Sequence, residues 1–176
     1  ATLGSNATLS GITTVVGGTN NDTIDATDYS IGITIDVSRN ISANPGGNDS
    51  TVLGGIAGDL IIFSNHNVLA NSSLKGNGGN DTLSFAESGI SITDERFTNA
   101  KGGITDIEAL QTTNGTNYIQ VGANAEGTSI SSLIGGTGAD TFDASRFNKD
   151  IWMSIGDGGD EVTFFSRARI ASSTLI

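Results

Sequence analysis

Cysteine is absent from the 176 residues, and proline, methionine, histidine and tryptophan each occur once. Without cysteine there is no disulfide, no thiolate metal site and no cysteine nucleophile. The single His66, set between Asn65 and Asn67, is all that a Ser-His-Asp hydrolase could use. No Gly-x-Ser-x-Gly elbow accompanies it, and it reads as an exposed turn residue. Basic residues are also scarce: 8 Lys and Arg stand against 19 Asp and Glu, a formal net charge of −11. The acidic residues are spread along the chain. That balance leaves no basic footprint for nucleic acid and repels anionic lipid. No apolar run approaches the length of a membrane span. Ala1 to Ser10 show no Met start, basic segment or long apolar core, so no secretory signal is visible there.

Helix signals are poor, because Gly, Thr, Asn and Ser occur throughout and runs of Leu, Lys, Glu or Ala are few. What is there are short β-branched runs between Gly/Asn/Asp clusters, the pattern of strands and turns. Ile12 to Val16, Ile33 to Val37, Leu60 to Phe63, Ile90 to Thr93 and Val162 to Phe165 are the clearest strands. Hydrophobic residues make up 36%, low for a compact globule but workable for a thin solenoid core.

The turns carry a motif. Gly135-Gly136-Thr137-Gly138-Ala139-Asp140-Thr141-Phe142-Asp143 fits Gly-Gly-x-Gly-x-Asp-x-apolar-x at every fixed position. Glycines permit a tight turn whose carbonyls converge, the Asp adds a carboxylate, and the apolar residue anchors the next strand inward. Such a turn is half of an oxygen cage for a hard cation. Gly17 to Ile24 fits with Asn20 for the third glycine, and Gly76 to Leu83 fits with Asn77 for the second. Gly156 to Val162 fits from its second position, Gly54 to Ile61 is weaker, and Asn117 replaces the Asp in Asn114 to Ile119. Pro45 to Thr51 lacks the apolar anchor.

The motif positions are spaced at the scale of solenoid coils. Asp140 to Asp160 is 20 residues, Asn117 to Asp140 is 23 and Asp59 to Asp81 is 22. Gaps of 37 from Asp22 to Asp59 and 36 from Asp81 to Asn117 leave room for a coil with a degenerate turn. The chain is therefore expected to be all-β, a right-handed parallel β-solenoid of the β-roll or β-helix kind. Its coils should hold about 20 residues, roughly seven to nine of them. One coil reads Ser132 to Ile134 strand, Gly135 to Asp140 turn, Thr141 to Ala144 strand, Ser145 to Asp150 turn, then Ile151 to Ile155 strand. Phe142, Ile24, Leu83, Val162, Ile119 and Ile61 should point into the core.

A longer repeat lies above the coils. Ile12 to Thr27 tracks Ile130 to Ser145 at an offset of 118, and Ala70 to Leu74 resembles Ala171 to Leu175 at an offset of 101. Residues 1–176 read as one solenoid domain holding about one and a half copies of a unit of roughly 100–120 residues. Both ends fall inside a unit, so continuation in a longer array or end-to-end stacking of subunits is expected.

These turns resemble the hemolysin-type calcium-binding repeats of RTX proteins, most specifically at Gly135 to Asp143 and well at Gly17 to Asp25 and Gly76 to Ser84. The resemblance implies a secreted or surface-exposed bacterial protein that binds calcium. The ligand positions it implies are Gly17, Thr19, Asp22, Asp59, Gly76, Gly78, Asp81, Asn117, Gly135, Thr137, Asp140, Asp157 and Asp160. The chain departs from the family in that the nonapeptides are not back to back, so a cage needs turns from two adjacent coils. The best-formed pairs are Asp140 with Asp160, Asp59 with Asp81, and then Asn117 with Asp140. Fewer calcium sites than motifs are expected. The alternative is a metal-free solenoid in which Asp and Asn side chains cap the turns.

The expected role is structural: a calcium-stabilised module of a surface layer, filament or adhesin stalk, not an enzyme. A β-helix carbohydrate lyase or hydrolase would draw on Asp94-Glu95-Arg96 or Asp106-Ile107-Glu108. An adhesin module that binds a cell-surface glycan is the other alternative.

Overall fold

The computed structural model describes residues 1–2, 4, 11–39, 50–98 and 103–164. Fifteen short strands run through them: β1 (Thr14–Val16), β2 (Thr23–Asp25), β3 (Thr34–Val37), β4 (Thr51–Leu53), β5 (Leu60–Phe63), β6 (Ser73–Lys75), β7 (Thr82–Phe85), β8 (Ser91–Ile92), β9 (Ile104–Thr105), β10 (Ala109–Gln111), β11 (Tyr118–Gln120), β12 (Ser132–Ile134), β13 (Thr141–Ala144), β14 (Trp152–Ser154) and β15 (Glu161–Phe164). Each is two to four residues long because Gly, Asn and Asp interrupt the apolar residues at that interval. Tight turns bring the chain back one coil further along, so every strand pairing is parallel.

The result is a β-solenoid. A long sheet holds seven strands in the order β1-β3-β5-β7-β10-β12-β14. Two four-stranded sheets face it, β2-β4-β6-β9 over the first coils and β8-β11-β13-β15 over the last. They overlap only in the fourth coil, which contributes β8 to one and β9 to the other. Seven stacked strands make six complete turns among the described residues, fewer than the seven to nine expected. The reason is coil length. In register, Thr14 to Thr34 is 20 residues and Ser132 to Trp152 is 20, but Thr34 to Leu60 is 26 and Thr82 to Ala109 is 27. The longest coil is the one that carries the additional strand.

The core is three columns of apolar side chains. The middle residues of the long sheet stack as Val15, Ile35, Ile61, Leu83, Leu110, Leu133 and Met153. Facing them are Ile24, Val52, Leu74 and Ile104 on one short sheet, and Ile92, Ile119, Phe142 and Val162 on the other. A strand's side chains alternate sides, so one inward residue per three-residue strand is what period two allows. Of the six residues expected to point inward, Ile24, Ile61, Leu83, Ile119 and Phe142 are fully buried and Val162 is partly so. Tyr29, Phe63, Phe97 and Phe147 are among the largest fully buried side chains.

The sequence copies 118 residues apart share local structure but not surroundings. β1 and β12 both lie in the long sheet, whereas the strands after their turns, β2 and β13, belong to different short sheets. The Pro45 to Asp49 part of the weakest motif, Ala171 to Leu175 and Phe165 lie outside the described residues.

Candidate functional site

At seven strand entries the residue just before the strand is bonded to the next coil in the same way. Its N–H points along the solenoid axis, and a side-chain oxygen from the next coil receives it. At the entry to the long sheet, Ile33 N donates to Asp59 Oδ1 (2.9 Å), Asp59 N to Asp81 Oδ1 (2.7 Å) and Asp81 N to Glu108 Oε2 (2.7 Å). At the entry to the β8-β11-β13-β15 sheet, Ile90 N donates to Asn117 Oδ1 (2.9 Å), Asn117 N to Asp140 Oδ1 (3.1 Å) and Asp140 N to Asp160 Oδ1 (2.9 Å). At the entry to the remaining sheet, Asp22 N donates to Ser50 Oγ (3.1 Å). Two columns of three side-chain to main-chain bonds, and one such bond at the third sheet, thus run parallel to the apolar columns.

The second carboxylate oxygen closes its own turn. Gly18 N donates to Asp22 Oδ2 (2.9 Å), Gly55 N to Asp59 Oδ2 (2.6 Å) and Gly136 N to Asp140 Oδ2 (3.2 Å). Asp59, Asp81, Asn117 and Asp140 are at most 3% exposed. A buried carboxylate is tolerated only with such donors. All three expected neighbour pairs, Asp140 with Asp160, Asp59 with Asp81 and Asn117 with Asp140, lie in adjacent coils.

The other implied ligand positions stack as turn backbone. Gly17 N, Gly76 N and Gly135 N donate to Asp36 O (2.7 Å), Thr105 O (3.0 Å) and Ser154 O (2.7 Å). Gly78 N donates to Gly55 O (3.0 Å), while Thr137 and Asp157 form a parallel bridge. Thr19 and Asp157 are exposed. The first glycine of each turn has a steric role. A Cβ on Gly54, Gly76 or Gly135 would collide with a carbonyl one coil on (Gly76, Asp106 or Ile155) and with the Asp of its own turn. The 36- and 37-residue gaps are explained by a change of side: the turns ending at Asp59 and Asp81 enter the long sheet, whereas those ending at Asp22 and Asn117 leave it.

Asp81 departs from the column. Asn77, where the second glycine belongs, adopts φ +71°, and Asp81 Oδ2 has no hydrogen-bond partner among the described residues. Burial, with Asp59, Glu108 and Asp106 nearby, pushes the Asp81 carboxyl up to about 7. Burial also raises Asp59, against the bonds it receives from Gly55 and Ile33.

A calcium cage needs oxygen lone pairs free of protons. At Asp59 and Asp140 both carboxylate oxygens already face N–H donors, and turn carbonyls such as Gly55 O and Gly136 O receive N–H groups of the next turn. In those turns the N–H donors compete with a cation for the same oxygens. The Asp81 turn fits better: its bare Oδ2 and the Asp106 carbonyl both crowd the space beside the Gly76 Cα.

Three participants escaped the sequence reading. Glu108 continues the Asp59–Asp81 column, and the signal was present: Asp59-Leu60-Ile61, Asp81-Thr82-Leu83 and Glu108-Ala109-Leu110 share one acid-x-apolar pattern. Ser50 serves Asp22 with no motif around it. Asp94, weighed for catalysis, accepts from Gly122 N (2.7 Å), Asn124 N (3.0 Å) and Ala125 N (3.0 Å), holding the helical turn Ala123–Glu126. His66 is half-buried at the start of another helical turn (His66–Leu69), not exposed, and burial lowers its pKa with help from Arg96.

In comparisons with protein-family models, curated proteins and solved structures, nothing matches this chain.

Proposed function

We propose that this chain is a structural repeat module of a secreted or cell-surface bacterial protein, serving as a stiff spacer in a surface layer, filament or adhesin stalk. One observation supports it above others: the acidic side chains best placed for chemistry are used to fasten coil to coil. Asp59, Asp81, Asp140 and Glu108 receive main-chain N–H groups of the preceding coil, and Asp94 receives those of Gly122, Asn124 and Ala125 at the start of the helical turn 123–126. A carboxylate with a donor on each oxygen, as at Asp59 and Asp140, is poorly placed as a general acid, base or nucleophile. Its natural partners are further coils, in a longer array or by end-to-end association. Among the described residues no helix is long and apolar enough to cross a membrane.

Calcium, which the resemblance implies, belongs in this reading at Asp81 rather than at every motif. The bare Oδ2 and the Asp106 carbonyl would supply oxygens there. The adhesin alternative keeps one observation, Trp152, which is 42% exposed on the outer face of the long sheet. Its neighbour in register is Ser132, and an aromatic face beside hydroxyls suits a glycan.

The test is surface labelling of intact cells with a membrane-impermeant reagent. Labelling of the chain, and loss of the surface structure when it is deleted, are the expected results. A wholly intracellular pool would sink the reading. Glycan turnover that disappears with Asp94→Asn would favour the enzyme instead.

A further inference from the structure

We propose that the Asn117 carboxamide stands in for a bound cation, so that the turn at residues 113–117 closes without metal. The Asn117 side chain is buried, with 1% exposure. Its Nδ2 lies where three oxygens converge: Thr113 O at 2.8 Å, Gly115 O at 2.9 Å and Asp140 Oδ1 at 2.7 Å. Two turn carbonyls and a carboxylate from the next coil are the ligand types of a calcium cage. Here an N–H donor occupies the point they share. The amide orientation follows from its surroundings, because Oδ1 faces the Ile90 N–H at 2.9 Å while Nδ2 faces only acceptors. A carboxamide has two donor hydrogens and no charge, so the three oxygens share those two hydrogens and need no counter-ion among them. At Asp59 and Asp140 a glycine N–H of the same turn meets the second carboxylate oxygen. Here the turn presents the Thr113 and Gly115 carbonyls, so aspartate would set its second oxygen against them and against Asp140 and remove the donor. The oxygens would then repel unless a cation came between them.

The proposal goes beyond the structural role above and does not depend on it. The decisive variant is Asn117→Asp, melted in chelator and in millimolar calcium. In chelator it should melt about 5–10 °C below the wild type, and calcium should restore most of that loss. The wild type is followed separately by amide hydrogen exchange at Asn117 and Asp140. Their protection in chelator should change by less than about twofold when calcium is added. Wild-type amides protected only in calcium would overturn the proposal. So would an Asn117→Asp protein as stable as the wild type in chelator, or one whose loss calcium does not repair. The exchange measurement stands even if the variant does not fold.

Discussion

Asp81 shows what burial beside other carboxylates does to a carboxyl with one oxygen left bare. Asp59 and Asp140 have an N–H donor for each oxygen, whereas Asp81 Oδ2 has none among the described residues. Its folded pKa of about 7 lies above the ordinary 3.8. A raised carboxyl means that the folded state holds its proton longer than the unfolded chain does. The stability from this group is therefore fullest below pH 3.8, declines as pH rises towards 7, and stays low above it. Asp81→Asn keeps an acceptor for the Asp59 N–H and places an amide where the bare oxygen stood. Measured in chelator, the variant should gain on the wild type as pH rises from 4 to 8 and be the more stable at pH 8. Urea unfolding at several pH values checks this, and a pH-independent difference would show that Asp81 is already charged in the fold.

Within the turns, glycine is required for space at some positions and for nothing visible at others. A Cβ on Gly135 would run into Ile155 O and the Asp140 carboxylate, while a Cβ on Gly159 meets nothing within 4 Å. Gly135→Ala should therefore cost about 2–3 kcal/mol, and Gly159→Ala should stay within about 0.5 kcal/mol. Equal effects on the denaturation midpoint would mean that the stacked turns relax apart at little cost. Strands were the most legible elements. Leu60 to Phe63 occurs at the residues its apolar run marked, and Ser132 to Ile134 and Thr141 to Ala144 occur on either side of the Gly135 to Asp140 turn, where the written-out coil put them. The column of Glu108 was less legible, since Glu lies outside the glycine motif and its role comes from register with Asp81.

Over the whole molecule, stability follows position in the stack. Leu83 is fully buried and lies between Ile61 and Leu110 in register, whereas Val162 is partly buried and, among the described residues, pairs only with Phe142 in its column. Leu83→Ala should cost about 3 kcal/mol and Val162→Ala about 1 kcal/mol, read by chemical denaturation. A Val162 loss as large as that of Leu83 would show the last described coil to be as tightly packed as the middle.

What the chain determined by itself is local: a tight turn wherever Gly and Asp cluster, an inward apolar residue two places later, and recurrence near 20 residues. Two copies 118 residues apart make the same point, since Asp25 with Thr27 and Asp143 with Ser145 form the same side-chain turn at 3.1 and 2.9 Å. Tertiary structure decided which coil lies next to which, and hence what each carboxylate meets. Asp22 and Asp140 hold equivalent places in their motifs, yet the N–H of one is received by Ser50 and that of the other by Asp160. A turn is encoded by contacts a few residues apart, whereas its partner is 20 to 28 residues away and depends on the length of the intervening coil. The choice among proton, amide and cation at a buried oxygen therefore rests with the neighbouring coil.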